Sequence, residues 1–80
     1  MSDDKRMIIL PFRKIRGRLQ PDQAIGASTP ESAIRRARQM APRYAGVAAI
    51  EFRHDDLTGE SFDVRIIHRD GDVPPLDLLH

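Results

Sequence analysis

Two hydrophobic periods divide this chain, and together they leave few folds open to it. Val47 to Arg53 alternates, with Ala48, Ile50 and Phe52 on one side and Val47, Ala49, Glu51 and Arg53 on the other. Ser61 to Arg69 alternates too, setting Phe62, Val64 and Ile66 against Asp63 and Arg65. A period of two is that of a pleated strand with two distinct faces. The polar stretch His54 to Glu60 lies between these segments and contains Gly59, which is free to take positive φ, so the pair predicts a β-hairpin.

A third strand is expected earlier, at Met7-Ile8-Ile9-Leu10-Pro11-Phe12, extending to Lys14 or Ile15. Pro11 has no N–H to give a sheet ladder, which predicts an edge position. Gly17 and Pro21 then mark a long connection from Arg16 to Ala27. The other period follows. Ala33, Ile34, Ala37, Met40 and Ala41 recur at helical spacing, with Arg35, Arg36, Arg38 and Gln39 opposite. Ser28 and Glu31 have capping-box spacing, while Thr29 before Pro30 offers an N-cap followed by proline at the first helical position. Pro42 and Gly46 predict that the helix ends between Met40 and Ala45.

The order is β-α-β-β, an α+β domain in which one helix packs on one face of a three-stranded sheet. A helical crossover makes the first two strands parallel, and the hairpin makes the third antiparallel to the second. The favoured strand order is 2-3-1, with 1-2-3 as the alternative. By parity, Ile8, Leu10 and Phe12, then Ala48, Ile50 and Phe52, then Phe62, Val64 and Ile66 are expected to meet the helix stripe as the core. The opposite face then holds Ile9, Val47, Ala49 and Ile67 among charged residues. Glu51 and Asp63 are placed there to pair with Arg53 and Arg65 across strands.

Eighty residues form one domain with a thin core, residues 1–6 and 75–80 being expected to be flexible. Natural chains of this size often add disulfides, a metal or a second subunit. There is no cysteine, so disulfides and thiolate metal sites are excluded. Tight packing and self-association remain. Nothing resembles a signal peptide or an apolar run of the roughly 20 residues that span a bilayer, so the expectation is a cytoplasmic protein without a membrane partner.

Net charge is +1, but its distribution is lopsided. Residues 1–45 carry ten Lys or Arg against four acids, a balance of +6; residues 46–80 carry three Arg against eight acids, a balance of −5. Such asymmetry fits nucleic-acid binding by the basic half, or complementary packing within one fold or between two copies.

Chemical motifs are sparse. Arg13, Lys14, Arg16 and Arg18, together with Arg35, Arg36 and Arg38, form a basic set that could track a phosphate backbone, although a solvated loop paired with the acidic half is the favoured reading. A base-stacking sheet needs exposed aromatics. Core parity for Phe12, Phe52 and Phe62 leaves only Tyr44, which argues against stacking. His54, Asp55 and Asp56 fall at a hairpin tip, and Asp70-Gly71-Asp72 lacks the ligand spacing of a calcium loop. His68 is expected at the core margin. No serine has a histidine–acid partner in a foreseeable pocket, and no cofactor fingerprint is present, so no enzyme activity is expected.

The run Met7 to Leu19, the capped Ala- and Arg-rich helix and the strand pair ending Gly71-Asp72-Val73-Pro74 resemble a group of small uncharacterised bacterial proteins across nearly the whole chain. That resemblance implies a fold and no activity. The functional expectation is a non-enzymatic interaction module that self-associates as a dimer through Ile9, Val47, Ala49 and Ile67 or the tail residues Leu76, Leu78 and Leu79. The alternative is a nucleic-acid-binding protein using the basic set, and a third reading is a small ligand carrier or enzyme.

Overall fold

The computed structural model describes residues 3–75. Along the chain come β1 (Asp3–Ile15), β2 (Arg18–Pro21), β3 (Ile25–Ala27), α1 (Pro30–Met40), a 3-10 turn (Ala41–Arg43), β4 (Gly46–Asp55) and β5 (Ser61–Gly71). The class is α+β, but the sheet has five strands rather than three, in the order β2-β1-β4-β5, with β3 also paired to β1. Because β4 fills the other edge of β1, β2 and β3 share one edge as a single broken strand. Leu76, Leu78 and Leu79 lie outside the described residues.

Several expectations change here. Residues Asp3 to Arg6, part of the segment expected to be flexible, belong to β1 and pair with Phe52 to Asp55; Met1 and Ser2 lie outside the described residues. The stretch read as a connection forms β2 and β3. Arg16 (φ +54) and Gly17 (φ +80) make a two-residue turn that pairs Ile15 with Arg18. Two successive positive φ values suit a tight hairpin, and Arg-Gly is an uncommon way to encode one. The chain therefore reverses before it reaches the helix, and β1 pairs antiparallel with β4, not parallel. The crossover joins β3 to β4, which run parallel on either side of β1. Among β1, β4 and β5 the neighbour order is the 1-2-3 alternative, not 2-3-1.

Pro11 sits inside the sheet, not at an edge. It pairs with Val47 of β4, and its carbonyl accepts the amide of Asp22, in the gap between β2 and β3. The missing N–H falls on the side where the neighbouring strand is broken, so the ladder loses little.

The helix begins as one of its two start signals requires. Thr29 is the N-cap with Pro30 behind it; its hydroxyl accepts the Ser32 amide at 3.1 Å, and the Ser32 hydroxyl accepts the Thr29 amide at 3.2 Å. Ser32 therefore completes the capping box that the spacing assigned to Ser28 and Glu31. Ala33 and Ala37 are fully buried, and Met40 and Ala41 pack beside them. Small residues on the stripe let the helix axis lie close to the sheet.

The face beneath α1 is the reverse of the one expected. Met7, Ile9, Val47 and Ala49 pack against Ala33 and Ala37, joined by Ile25, Ala27, Tyr44 and Ile67. The expected core residues Ile8, Leu10, Phe12, Ala48, Ile50, Phe52, Val64 and Ile66 form a separate cluster on the other side. Crossovers between parallel strands are right-handed in nearly all proteins, so the strand that enters the helix selects the covered face. Here that strand is β3, which the sequence did not reveal. β5 carries two further departures, register shifts opposite Ala49/Ile50 and Glu51/Arg53. Each inserts one residue, which is a β-bulge. Asp63 takes φ +54 at one of them. Phe62 consequently registers with Arg53 rather than Phe52, and His68 with Ala49.

Candidate interaction face

β1 and β4 are apolar on both sides. Such strands belong in the middle of three layers, yet the described residues provide only two. The molecule measures 43 × 26 × 17 Å, the depth of a sheet and one helix. An antiparallel sheet with one solvated side normally alternates apolar with polar residues. On the side away from α1, Phe12, Ala48 and Ile50 are instead surrounded by Ile8, Leu10, Leu19, Phe52, Val64, Ile66 and Val73. The central three are at most 3% exposed and the surrounding seven are half-buried. Their neighbours shield one another, but no second layer covers them among the described residues.

The end of the described chain contributes to this face. Gly71 (φ +71) turns the backbone so that the Asp72 amide donates to the Ala45 carbonyl at 2.9 Å. Asp72 then lies over Gly46, where an added Cβ would overlap its carbonyl. Val73 follows onto the Phe12 cluster. Charges rim the platform: Lys14 pairs with Asp72 at 3.9 Å at one end, and Asp56 receives Arg6 at 3.5 Å and His54 at 3.7 Å at the other. Arg69 registers with Ala48 and is exposed.

Both edges of the sheet are poor templates for another strand. β5 is interrupted by its two bulges and carries Asp63, Arg65 and Arg69. The opposite edge is split into a four-residue and a three-residue strand with Pro21 at the break. Short, bulged and charged edges are how sheets resist edge pairing.

The residues expected to mediate self-association are mostly elsewhere. Ile9, Val47 and Ala49 are 0% exposed and unavailable to a partner, and the half-buried Ile67 packs with them beneath the helix. Strand parity identified a second apolar face correctly but exchanged the two.

The basic set does not converge. Alternation along β1 sends Arg13 to the helix side and Lys14 to the bare side. The Arg13 guanidinium lies 4.8 Å from the Tyr44 ring centroid, and its Nε donates to Asp22 at 2.6 Å. This hydrogen bond, helped by the Gln23 amide, holds the Asp22 carboxyl below its usual 3.8 and raises Arg13. Arg16 and Arg18 project at the β1–β2 hairpin and make no ion pair among the described residues. Arg36 borders a hollow with Ser28 and Ser32, whereas Arg35 and Arg38 flank Ile34 and Gln39 on another part of α1. Tyr44, the aromatic left over by sequence, is engaged by Arg13. Phe12 and Phe52 lie on the bare side rather than beneath the helix, and the Phe62 side chain lies outside the described residues; Phe12 is only 2% exposed, but Phe52 is half-buried, so core parity no longer argues against stacking at that ring.

On the helix side beyond α1, Arg65 meets the nearly buried Glu51 carboxylate at 3.2 Å and Arg53 meets Asp63 at 3.8 Å, the pairs expected from sequence. With Lys5 they border a shallow hollow whose charges answer one another. His68 is part-buried, its Nε2 3.0 Å from the Asp70 carboxylate. Among the described residues, no three His, Asp or Glu side chains gather as metal ligands, and every buried side-chain polar atom has a partner. No helix among them is long and apolar enough to cross a membrane. No protein-family model, curated protein or solved structure matches the chain.

Proposed function

We propose that this protein is a non-enzymatic interaction module that works as a homodimer, burying the bare sheet face of one copy against that of another. The observation that carries this reading is the ten-residue apolar platform around Ile50, on strands whose helix side is already filled. Apolar surface of that continuity is rarely left in water on a monomer. Two copies stacked face to face make four layers, helix-sheet-sheet-helix, with side chains from both sheets interdigitating about 10 Å apart. The long dimensions of the molecule, 43 Å and 26 Å, accommodate the ~800 Å² that each partner of a stable dimer buries. A two-fold interface needs a patch complementary to itself, and a platform of aliphatic side chains with a mixed-charge rim is one.

Sedimentation velocity over a concentration series tests the reading. The wild-type chain sediments as a dimer at micromolar concentration, while Leu10→Glu and Ile66→Glu, each with the far-ultraviolet circular dichroism of the wild type, sediment as monomers. A wild-type monomer at high micromolar concentration would sink the proposal. So would dimers that persist in both variants. Chemical-shift changes confined to Arg13, Lys14, Arg16, Arg18 and the helix arginines on adding single-stranded RNA or duplex DNA would favour the nucleic-acid reading instead.

A further inference from the structure

The β1–β2 hairpin reaches past the rest of the sheet. The last residue of β1 to pair with β4 is Phe12, opposite Gly46, whereas β1 and β2 go on pairing through Arg13–Gln20, Lys14–Leu19 and Ile15–Arg18. Three further pairs and the turn make an overhanging two-stranded ribbon roughly 10 Å long. Arg13 to Arg18 are all exposed, and nothing crowds Gly17 at the tip. Cross-strand partners share a face, so Arg13 and Arg18 lie on the helix side of the ribbon, Lys14 on the bare side and Arg16 at the tip. Three aspartates share this end, and each has a partner: Asp22 receives Arg13 at 2.6 Å, Asp72 faces Lys14 at 3.9 Å, and Asp70 faces His68 at 3.0 Å. Arg16 and Arg18 have none among the described residues. The turn is also costly in its chemistry, because Arg16 holds φ +54, where asparagine or aspartate would be relaxed. Backbone strain of this kind gathers at contact and switch sites.

We propose that this hairpin is an arm that enters a groove of duplex DNA, its cations meeting phosphates on both walls. A flat anionic surface, whether a bilayer or an acidic protein, meets one face of a ribbon and leaves the cations of the other in water. A groove has a phosphate chain on each side, so Arg13 and Arg18 on one face and Lys14 on the other are engaged together. The major groove of B-form DNA is about 12 Å wide and admits a two-stranded ribbon. That of duplex RNA is too narrow for side chains to enter. The exposed Lys14–Asp72 pair is weak enough to give way to a phosphate. No aromatic ring lies on the arm, whose exposed apolar side chain is Ile15, so binding is dominated by charge. The contact uses the overhang and leaves the platform around Ile50 to the second copy, so it goes beyond the association proposed above and does not depend on it.

Fluorescence anisotropy with a labelled duplex DNA of about 20 base pairs at 50 mM salt tests the arm. Duplex RNA of the same sequence, single-stranded DNA, and vesicles of phosphatidylglycerol and phosphatidylcholine are titrated beside it. The expected result is duplex DNA bound several-fold more tightly than either other nucleic acid, with no binding to vesicles. Arg16→Asn combined with Arg18→Gln weakens duplex binding at least tenfold and lowers the slope of log affinity against log salt by about two. Arg16→Asn alone keeps or raises the melting temperature, because asparagine suits the turn, so the lost affinity is lost charge and not lost folding. Arg35→Gln with Arg36→Gln changes affinity less than twofold. Amide shifts on adding the duplex move in residues 13–20 and stay fixed in α1. The same ranking holds in Leu10→Glu, which separates failure of the arm from failure of the dimer. No binding at 50 mM salt, equal affinity for single strands or duplex RNA, binding to the vesicles, or a double variant that binds like the wild type overturns the proposal.

Discussion

The two faces of this sheet are built from the same alternating strands, and they end in different circumstances. On one, Ile9, Val47 and Ala49 lie against Ala33 and Ala37 and are completely withdrawn from solvent. On the other, Ile8, Leu10, Phe52, Val64 and Ile66 are half-buried around a protected centre. In composition the second face is as apolar as the first. The contrast teaches that β1 and β4 carry the sequence of interior strands, with a covering layer supplied by the described residues on one side only.

The sharpest way to break that comparison is to truncate neighbours on opposite faces. Ile9→Ala removes a fully buried side chain and is expected to cost about 2–5 kcal/mol in urea unfolding. Ile8→Ala, one residue away, is expected to cost about 1 kcal/mol in the monomer, since that side chain is only partly buried. A larger effect is expected on the proposed association: the wild type should become more stable as concentration rises, and Ile8→Ala should lose that dependence. Equal losses with unchanged concentration dependence would mean that the two faces do not differ in kind.

Gly46→Ala probes the seam where the terminal segment joins the bare face. Its methyl group would overlap the Asp72 carbonyl, so a loss of about 1–3 kcal/mol is expected, with faster amide exchange at Asp72 and Val73. Retained stability would show that this segment is not held against the sheet. On the covered side, Thr29→Ala removes the cap of the one helix that makes the faces unequal. A loss of about 1 kcal/mol is expected, with the dimer constant unchanged. A matching loss of dimer would tie α1 to the association surface.

The smallest effect concerns the Arg13–Asp22 pair near the basic hairpin. Asp22 is expected to titrate below 3.8 by carboxyl carbon NMR, and to move upward in Arg13→Ala. Since the folded value is the depressed one, the pair stabilises the fold above 3.8, and its contribution disappears as pH falls through the lowered value. An unshifted Asp22 would return Arg13 to the pool of cations open to a partner.

Much of the local structure was legible. The β4–β5 hairpin, the helix and its Thr29-Pro30 start follow from period, turn chemistry and caps. The charge pairs Glu51–Arg65 and Arg53–Asp63 follow from cross-strand spacing. Topology was less so, for an identifiable reason. Arg16-Gly17 encodes a tight turn without the usual asparagine or aspartate, and β2 and β3 are too short to show a period. Missing them made β1 the strand entering the helix and parallel to β4; the edge position had rested on Pro11, and the choice of covered face on parity alone. The bulges at Asp63 and near Ile67 then shifted the parity of β5, moving the register of Phe62 and His68. The candidate site was visible as a second apolar face, but parity cannot say which of two apolar faces a helix covers. Handedness does, and it acts only through the correct strand pairing.

The proposal is that the side of the sheet left bare by the described residues meets a second copy of itself. Methyl-resolved NMR across a dilution series tests it most directly. The account predicts concentration-dependent shifts in Ile8, Leu10, Ile50 and Ile66, with Ile9, Val47 and Ala49 unmoved. Methyl spectra that stay constant through the high micromolar range, or changes that appear beneath the helix while the uncovered side stays still, would contradict it.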